Sequence, residues 1–183
     1  MALRRKGYKT TPRNKKQIRK AVESLFSSFE IDTSKAVDVV DFIDIYLPSK
    51  LTSFSYELKS DKAMGEYLGL YDPEEKKIYL RASIYDGACD ENNPKSGFCR
   101  FTIAHEIGHL LLHFEGVKLG KGITGEHAAY EDTEWQADQF AAELLMPFNE
   151  VKKLKSAKEI VKKFNVSLPA ANTRLEKIKR EAA

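Results

Sequence analysis

The chain has 183 residues, of which 42% are apolar and 31% are charged, and its formal net charge is +3. This length suits one domain with at most a small appendage, and the apolar content is sufficient for a hydrophobic core, so a disordered chain is excluded. The sequence contains no run of 18 apolar residues, and its basic start lacks the apolar stretch of a secretory signal. The two cysteines, Cys89 and Cys99, are expected to be reduced thiols, as in a cytoplasmic protein. Because no apolar run is long enough for a span, we expect that the protein does not enter a membrane.

Charge is distributed unevenly along the chain. Residues 1–20 carry a net charge of +9 and residues 152–183 carry +7, whereas the segment 21–151 between them carries −13. Two basic flanks around an acidic centre indicate contact with nucleic acid, contact with an acidic partner, or flanks that fold back onto the centre. Solvated helix faces would give the same pattern, so the charges alone do not decide between these interpretations.

The N-terminal half is predicted to contain two helices followed by short strands. Apolar residues recur at helical spacing over 14–29, and a second helix is predicted from a cap at Asp32 or Thr33 to a stop at Pro48. The pattern then changes to an alternation of apolar and polar residues over 53–81. This alternation predicts a small antiparallel sheet of three strands.

The C-terminal half is predicted to be helical. Apolar spacing predicts a long helix over 100–114 and a second over 131–146, with a glycine-rich loop at 116–130 between them. The segment 156–180 is predicted to form two shorter helices that resemble a helix-turn-helix. The sequence therefore predicts an α+β fold, in which a small three-stranded antiparallel sheet packs on helices and a helical pair follows at the C-terminal end.

The pattern His-Glu-x-x-His lies in the first of these long helices, at His105, Glu106 and His109. Side chains four residues apart in an α-helix lie about 40° apart around the axis and about 6 Å along it, so both imidazoles can bind one metal ion. Glu106 lies about 100° round the helix, which places it beside a water on the metal instead of on the metal itself. So short a pattern also occurs by chance. The sequence therefore predicts a metal site only if another part of the chain supplies a further ligand.

A catalytic zinc site needs a third protein ligand, with water in the fourth position. His113 cannot supply this ligand, because it lies eight residues, or about 12 Å, from His105 along the same helix. Glu134 and Asp138 share an otherwise apolar stripe of the second long helix, and two buried carboxylates are costly unless each is paired or bound to metal. We therefore predict Glu134 as the third ligand and Asp138 as the hydrogen-bond partner of a zinc-bound histidine.

Other interpretations of these residues stay open at this point. If the stripe points outward, Glu134 and Asp138 are solvated surface residues. His127 or Tyr130 could supply a second electrophile, although an ordinary loop position explains either residue. The two cysteines match no zinc-ribbon spacing and are predicted to be inert. Weaker candidates for the third ligand lie on or next to the glycine-rich loop, namely Glu126, His127, Glu131 and Asp132.

Two segments, Phe101–His113 and Glu134–Pro147, resemble the ImmA/IrrE family of zinc metallopeptidases. The similarity extends over residues 53–147, and the two motifs together are specific, whereas the long basic N-terminus and the cysteines are not features of the family. The resemblance implies a substrate class, helix-turn-helix transcriptional repressors, whose cleavage relieves repression. It also implies a site of the gluzincin type, with one zinc ion held by His105, His109 and Glu134, and with Glu106 as the general base.

These observations predict a zinc-dependent endopeptidase with a zincin-like helical core. Residues 1–147 are expected to form the metallopeptidase domain with its N-terminal helices, and residues 148–183 a basic, helix-turn-helix-like tail. The expected partner is a protein substrate, a helix-turn-helix repressor, with weak nucleic-acid contact through the basic flanks. The alternative is a non-catalytic regulator or antitoxin-like binding protein with a structural or idle zinc site, in contact with DNA. Glu106 and Glu134 favour the enzyme, because a structural site would close its fourth position with a protein ligand.

Overall fold

A three-stranded sheet lies among the helices of this chain, for which a computed structural model describes residues 7–113 and 127–182. Most of the loop predicted at 116–130 lies outside the described residues. None of the described helices combines the length and the apolar character that a membrane span requires. The elements are α1 (Lys15–Ser28), α2 (Val39–Asp41), a π-helix (Phe42–Tyr46), α3 (Leu47–Lys50), β1 (Ser55–Lys59), α4 (Asp61–Met64), β2 (Gly69–Asp72), β3 (Lys77–Arg81), α5 (Ala82–Cys89), α6 (Ser96–Leu112), a 3-10 helix (Ala129–Glu131), α7 (Thr133–Leu145), α8 (Phe148–Val151), α9 (Ala157–Phe164) and α10 (Leu168–Ala182).

The first predicted helix is confirmed as α1. It begins after Asn14, whose side chain accepts a hydrogen bond from the Gln17 N–H while the Gln17 side chain accepts one from the Asn14 N–H. This reciprocal pair satisfies two donors that a helix start would otherwise leave free. Ile18, Val22 and Phe26 recur at four-residue spacing and are buried, so they form the face that packs toward α7.

The second predicted helix starts later than expected and continues past Pro48. It begins after Asp38, whose side chain accepts from N–H groups of the first turn of α2. A π-helical turn follows, in which the Leu47 N–H donates to the carbonyl of Phe42, and α3 then continues to Lys50. Pro48 lies in the first turn of α3, where a helix does not need the missing N–H. The prediction that Pro48 ends the helix is therefore wrong.

The sheet is mixed, so the prediction of an antiparallel sheet is wrong for β1. The strand order is β1-β3-β2, in which β2 pairs antiparallel with β3 and β1 pairs parallel with it. A parallel neighbour requires a crossover connection, and the segment 60–76, which contains α4 and β2, supplies one. Alternation in the sequence predicts that strands exist, and three are present, but it does not determine which strands pair.

One face of the sheet packs on α6. Ile78 and Leu80 of β3 are buried, and the residues directly opposite them on β2 are Tyr71 and Gly69. Residues that face each other across an antiparallel pair point to the same side of the sheet, so Tyr71 and Gly69 also face α6. This packing places β2, an edge strand, beside the middle of α6, where the His-Glu-x-x-His pattern lies.

The C-terminal helices pack into the same hydrophobic core as the rest of the chain. Phe164 of α9 is fully buried, and the buried Arg100 of α6 donates to its carbonyl oxygen. Arg174 of α10 is buried in an ion pair with Glu143 of α7, so this guanidinium is not available to a DNA phosphate. The division between a peptidase domain and a tail after residue 147 stays a prediction.

The basic flanks contact each other and the acidic centre. Arg19 of α1 pairs with Glu143 of α7 and with Glu181 of α10, and Lys15 of α1 pairs with Glu181 as well. Part of the positive charge of both flanks is thus neutralised within the molecule. These contacts favour the interpretation in which the flanks fold back onto the centre.

Candidate metal centre

The long helix α6 brings His105 and His109 to one face. The helix begins at Ser96, four residues earlier than the sequence predicts, and runs through both histidines without a break. The two Nε2 atoms lie 3.0 Å apart, as the four-residue spacing leads us to expect. Both side chains are largely buried, with 16% and 14% of their surface exposed.

Helix α7 approaches α6 closely enough to bring Glu134 to the two histidines. A Cβ atom at Gly108 of α6 would lie 3.1 Å from the Cα of Ala137, so the glycine permits this close crossing. Glu134 lies in the first turn of α7. Its Oε2 is 3.3 Å from Nε2 of His105, and its Oε1 is 3.2 Å from Nε2 of His109. The stripe that carries Glu134 therefore faces α6, although the side chains of Glu134 and Asp138 remain 36% and 37% exposed.

The geometry of these three side chains fits a small divalent metal ion. In a tetrahedral site with metal–ligand distances of about 2.0–2.1 Å, two ligand atoms lie about 3.4 Å apart. The three distances here, 3.0, 3.2 and 3.3 Å, are close to that value. Across the described ranges, the ligand atoms of His105, His109 and Glu134 form a group within 4.8 Å of one another. Two imidazoles and one carboxylate are the donor set of a catalytic zinc site, which keeps a fourth position for water.

The electrostatics of this group favour a bound cation. Burial alone would lower the pKa of His105, but its hydrogen bonds with Asp138 and Glu134 outweigh burial and raise the pKa to about 10. Burial likewise opposes ionisation of Glu134, yet its contacts with His105 and His109 lower the pKa of Glu134 well below its usual range. The carboxylates that favour the charged form of His105 would likewise stabilise a cation bound between the two imidazoles.

Asp138 lies behind His105, one turn after Glu134 on α7. Its Oδ1 is 3.0 Å from Nδ1 of His105, the ring nitrogen that does not face Glu134. A carboxylate there accepts the N–H of Nδ1, so that Nε2 keeps its lone pair for a metal. The sequence predicted contact with one of the two histidines without saying which, and the structure brings Asp138 to His105.

Glu106 lies on the side of α6 that faces the sheet, where it is 7% exposed. A Cβ atom at Gly69 of β2 would lie 2.6 Å from the Cγ of Glu106, so the glycine leaves the space that this side chain occupies. Burial raises the pKa of Glu106, and the nearby His109 and His105 and the backbone N–H of Tyr71 oppose that shift. A buried carboxylate beside a metal group is well placed to accept a proton and to release it again.

His113 lies behind His109 and not in the metal group, as its distance along the helix predicts. Its Nδ1 is 3.3 Å from Nδ1 of His109, and its Nε2 is 3.2 Å from Oε1 of Gln136. Burial lowers the pKa of His113 to about 4, and the charge of His109 acts in the same direction. Gln136 was not among the residues predicted from the sequence. It is fully buried on the side of α7 opposite Glu134, two positions earlier, and a single polar residue there gives no periodic signal.

The other candidates near the glycine-rich loop stabilise the start of α7. His127 Nε2 lies 2.8 Å from Oδ2 of Asp132, whose other carboxylate oxygen caps the helix. Glu131 accepts a hydrogen bond from the backbone of residue 128, and Tyr130 is about half exposed. None of these described residues joins the metal group, and Glu126 lies outside the described part of the chain.

A cavity of about 240 Å³ lies where α6 and α7 meet α10, and Asp138, the partner of His105, is part of its lining, whereas the three residues of the metal group are not. Phe101, one turn before His105, and Trp135, next to Glu134, form another part of its lining. The ring centroids of Phe101 and His105 are 6.4 Å apart. The cavity is smaller than the usual site for a drug-sized ligand, which measures about 300–1,000 Å³, so it suits a single large side chain.

The residues of the candidate metal centre lie in a segment that is similar to a known family. Residues 96–176 match the model of the family Peptidase_M78, described as the IrrE N-terminal-like domain. The matched segment contains α6 and α7 with His105, Glu106, His109, Glu134 and Asp138, and it confirms the family resemblance predicted from the sequence. A comparison with curated proteins finds no match.

One solved structure with a similar fold is a Mycobacterium tuberculosis transcriptional regulator. The two chains superpose with a TM-score of 0.58 over 86% of this chain, at 15% sequence identity. This chain spans 54% of that protein, or about half its length. At this identity the likeness shows the fold alone, an α+β architecture.

Proposed function

From the premise that residues 96–176 belong to the IrrE N-terminal-like family of peptidase domains, we propose that this protein is a zinc-dependent endopeptidase that cleaves a regulatory protein. One observation carries the proposal, namely that His105, His109 and Glu134 converge while Glu106 is buried beside them. A structural zinc site would have a fourth protein ligand, and it would have no need for a buried carboxylate next to it.

The side chains of the site have complementary roles in the proposed reaction. His105, His109 and Glu134 would hold a zinc ion, which would supply a Lewis acid that makes water more acidic and polarises the scissile carbonyl. Glu106 takes the proton from the attacking water and later delivers it to the leaving amine. Asp138 keeps His105 in the tautomer that binds through Nε2.

We place the substrate along the free edge of β2. Among the described residues this strand pairs only with β3, and the backbone N–H of Tyr71 faces Glu106. An extended peptide that adds to this edge as a further strand would run past Glu106 and present its backbone to the site. The cavity beside Phe101 and Trp135 would then receive one side chain of that peptide.

The substrate class in this proposal is a helix-turn-helix transcriptional repressor. The argument for it is the family resemblance, and the description of the M. tuberculosis neighbour as a transcriptional regulator is in keeping with a role in gene regulation. Weak nucleic-acid contact through the basic flanks is a secondary proposal, since Arg19 and Arg174 are already paired with acidic groups of this chain.

The decisive experiment mixes the zinc-loaded protein with a helix-turn-helix repressor encoded beside its gene. We expect one discrete cut, located by mass spectrometry of the products, and no cut with the Glu106→Gln protein. A repressor that is bound equally by both proteins and cleaved by neither would favour the non-catalytic regulator. Failure of the wild-type protein to retain zinc after dialysis would contradict the proposed metal site.

A further inference from the structure

Gln136 is a fully buried amide whose orientation is determined by four neighbours. Its Nε2 donates to the carbonyl oxygens of Thr11 and Tyr130, both at 2.8 Å. Its Oε1 accepts from Nη1 of Arg13 at 3.3 Å and lies 3.2 Å from Nε2 of His113. Carbonyl oxygens only accept and a guanidinium only donates, so the flipped amide would lose three of these contacts.

This orientation determines which nitrogen of His113 carries a proton. The amide oxygen of Gln136 can only accept, so Nε2 of His113 must donate to it. With Nε2 donating to Gln136, the nitrogen of His113 that is left to accept a hydrogen bond is Nδ1. The neighbour of that atom is Nδ1 of His109, 3.3 Å away. His109 therefore donates through Nδ1 and keeps its lone pair on Nε2, the atom beside Glu134.

We propose that His113 is a positioning residue of the metal site, which is oriented by Gln136 and holds His109 in the tautomer and ring orientation that bind a metal through Nε2. This inference rests on the proposed metallopeptidase function. Asp138 makes the corresponding contact to His105 with a charged carboxylate. His113 makes its contact with a neutral ring, which avoids a further negative charge next to the carboxylates already present.

The same contacts connect the N-terminal segment 7–13 to the metal site. The Thr10 N–H donates to the carbonyl of Glu131, and a bridge joins the segment to the start of α7 in antiparallel orientation. From this position Thr11 and Arg13 reach the amide of Gln136. The segment thus contacts Gln136, which contacts His113, which in turn contacts His109. It supports His109 in this way although it lies more than 90 residues away in sequence.

NMR spectroscopy of the zinc-loaded protein tests the inference directly, because the chain has four histidines. In protein labelled with ¹⁵N-histidine, two-bond ¹H–¹⁵N correlations distinguish the tautomers, and the His113→Asn variant identifies the signals of that ring. We expect the proton of His113 on Nε2 and the proton of His109 on Nδ1. A proton on Nδ1 of His113 would overturn the inference and leave the metal site intact. Absence of bound zinc in the wild-type protein would instead overturn the proposed function.

Two variants at position 113 distinguish a role of His113 in positioning His109 from a role in packing alone. His113→Leu removes the acceptor, whereas His113→Asn retains one near the position of Nδ1. By chelator competition, we expect His113→Leu to weaken zinc affinity by about 10–100-fold and His113→Asn to keep most of it. In cobalt-substituted protein, the visible spectrum of His113→Leu should differ from that of wild type, whereas the spectrum of His113→Asn should stay close to it. Equal losses of affinity in both variants would show that His113 only fills space.

Discussion

Gly69 of β2 is in direct contact with the side chain of Glu106, since a Cβ atom at position 69 would lie 2.6 Å from Cγ and 2.8 Å from Oε1 of that residue. The strand therefore forms the wall against which the proposed general base rests. The same strand directs the backbone N–H of Tyr71 toward the carboxylate. Because a general base must lie within hydrogen-bond reach of the proton that it takes, we expect the position of this strand to affect the proposed reaction.

We expect Gly69→Ala to reduce peptidase activity by roughly 10–100-fold while folding and zinc binding are kept. The new methyl group meets a flexible side chain and not backbone, so the Glu106 carboxylate should move instead of the strand. Leu70→Ala is the matched control, because Leu70 is an exposed neighbour on β2. Cleavage rates and elemental analysis of zinc check the prediction. Wild-type activity in Gly69→Ala would show that the position of Glu106 does not limit the reaction.

We expect Glu106→Gln to keep zinc and to lower kcat by about 10²–10⁴-fold, which is the usual contribution of a general base. Glutamine has almost the same shape as glutamate but cannot take a proton from water. The measurement is kcat on a cleavable repressor fragment, together with the zinc content of the variant. Unchanged turnover in the metal-loaded variant would remove Glu106 from the mechanism.

Glu134 and Asp138 should differ in their effect on metal binding. Glu134→Ala removes a proposed ligand, so we expect the protein to lose its zinc on dialysis. Asp138→Asn alters only the partner of His105, and we expect zinc affinity to fall by about 10–100-fold without being abolished. Competition with a chromophoric chelator measures both effects. Full retention of zinc by Glu134→Ala would mean that the third ligand is assigned to the wrong residue.

The sequence was informative about the site wherever helix geometry alone connects the residues. His105 and His109 are predicted to meet because four-residue spacing puts them on one face. Glu134 and Asp138 are found because carboxylates on an otherwise apolar stripe need partners. Both arguments start from the helical period, and the second adds the cost of a carboxylate without a partner. Both lead to contacts that the structure contains.

Contacts between distant segments were not predictable in the same way. Gln136 bonds to backbone carbonyls of residues far away in the chain, and such a contact leaves no periodic pattern. The parallel pairing of β1 with β3 likewise depends on the path of the crossover and not on alternation. Gly69 is an intermediate case, since a glycine inside a strand does signal the close approach of another group, although it does not identify Glu106 as that group.

The metal-free protein should lose stability as the pH rises above neutrality. Burial opposes the charge on His105, but hydrogen bonds with Asp138 and Glu134 raise its pKa from 6.5 to about 10 in the folded state. A group with a raised pKa contributes stability that is fully present below the unfolded value of 6.5 and is lost as the pH rises through about 10. We expect the free energy of unfolding in urea to fall over this range, with a slope of at most about 1.4 kcal/mol per pH unit.

The control for this pH dependence is the metal-free Asp138→Asn protein, whose slope should be shallower because one of the two hydrogen bonds is weakened. Zinc displaces the proton from the site, so the added stability of the zinc-loaded protein should increase over the same pH range. A free energy of unfolding that does not change between pH 7 and pH 10 in the metal-free wild type would contradict the proposed interactions of His105.

The stability of the whole chain should depend on the buried pair of Glu143 and Arg174. Arg174 donates from Nη1 and Nη2 to the two carboxylate oxygens of Glu143, and from Nε to the carbonyl of Met146. Arg19 also donates to Glu143, so this carboxylate joins α1, α7 and α10. Glu143 and Arg174 are each at most 5% exposed in their side chains. Removal of the charge on Glu143 would therefore leave a buried guanidinium without its counter-ion.

We expect Glu143→Gln to lower the free energy of unfolding by about 3–5 kcal/mol, because breaking a buried pair from one side leaves an uncompensated charge. Glu176→Gln is the matched control on α10, where Glu176 faces Arg180 at 3.9 Å and both side chains are mostly exposed. That exposed pair should contribute less than about 1 kcal/mol. Urea unfolding of the two variants measures the difference. If both variants lose the same small amount, the ion pair is not what attaches α10 to α7, and the shared hydrophobic core must hold the C-terminal helices in place.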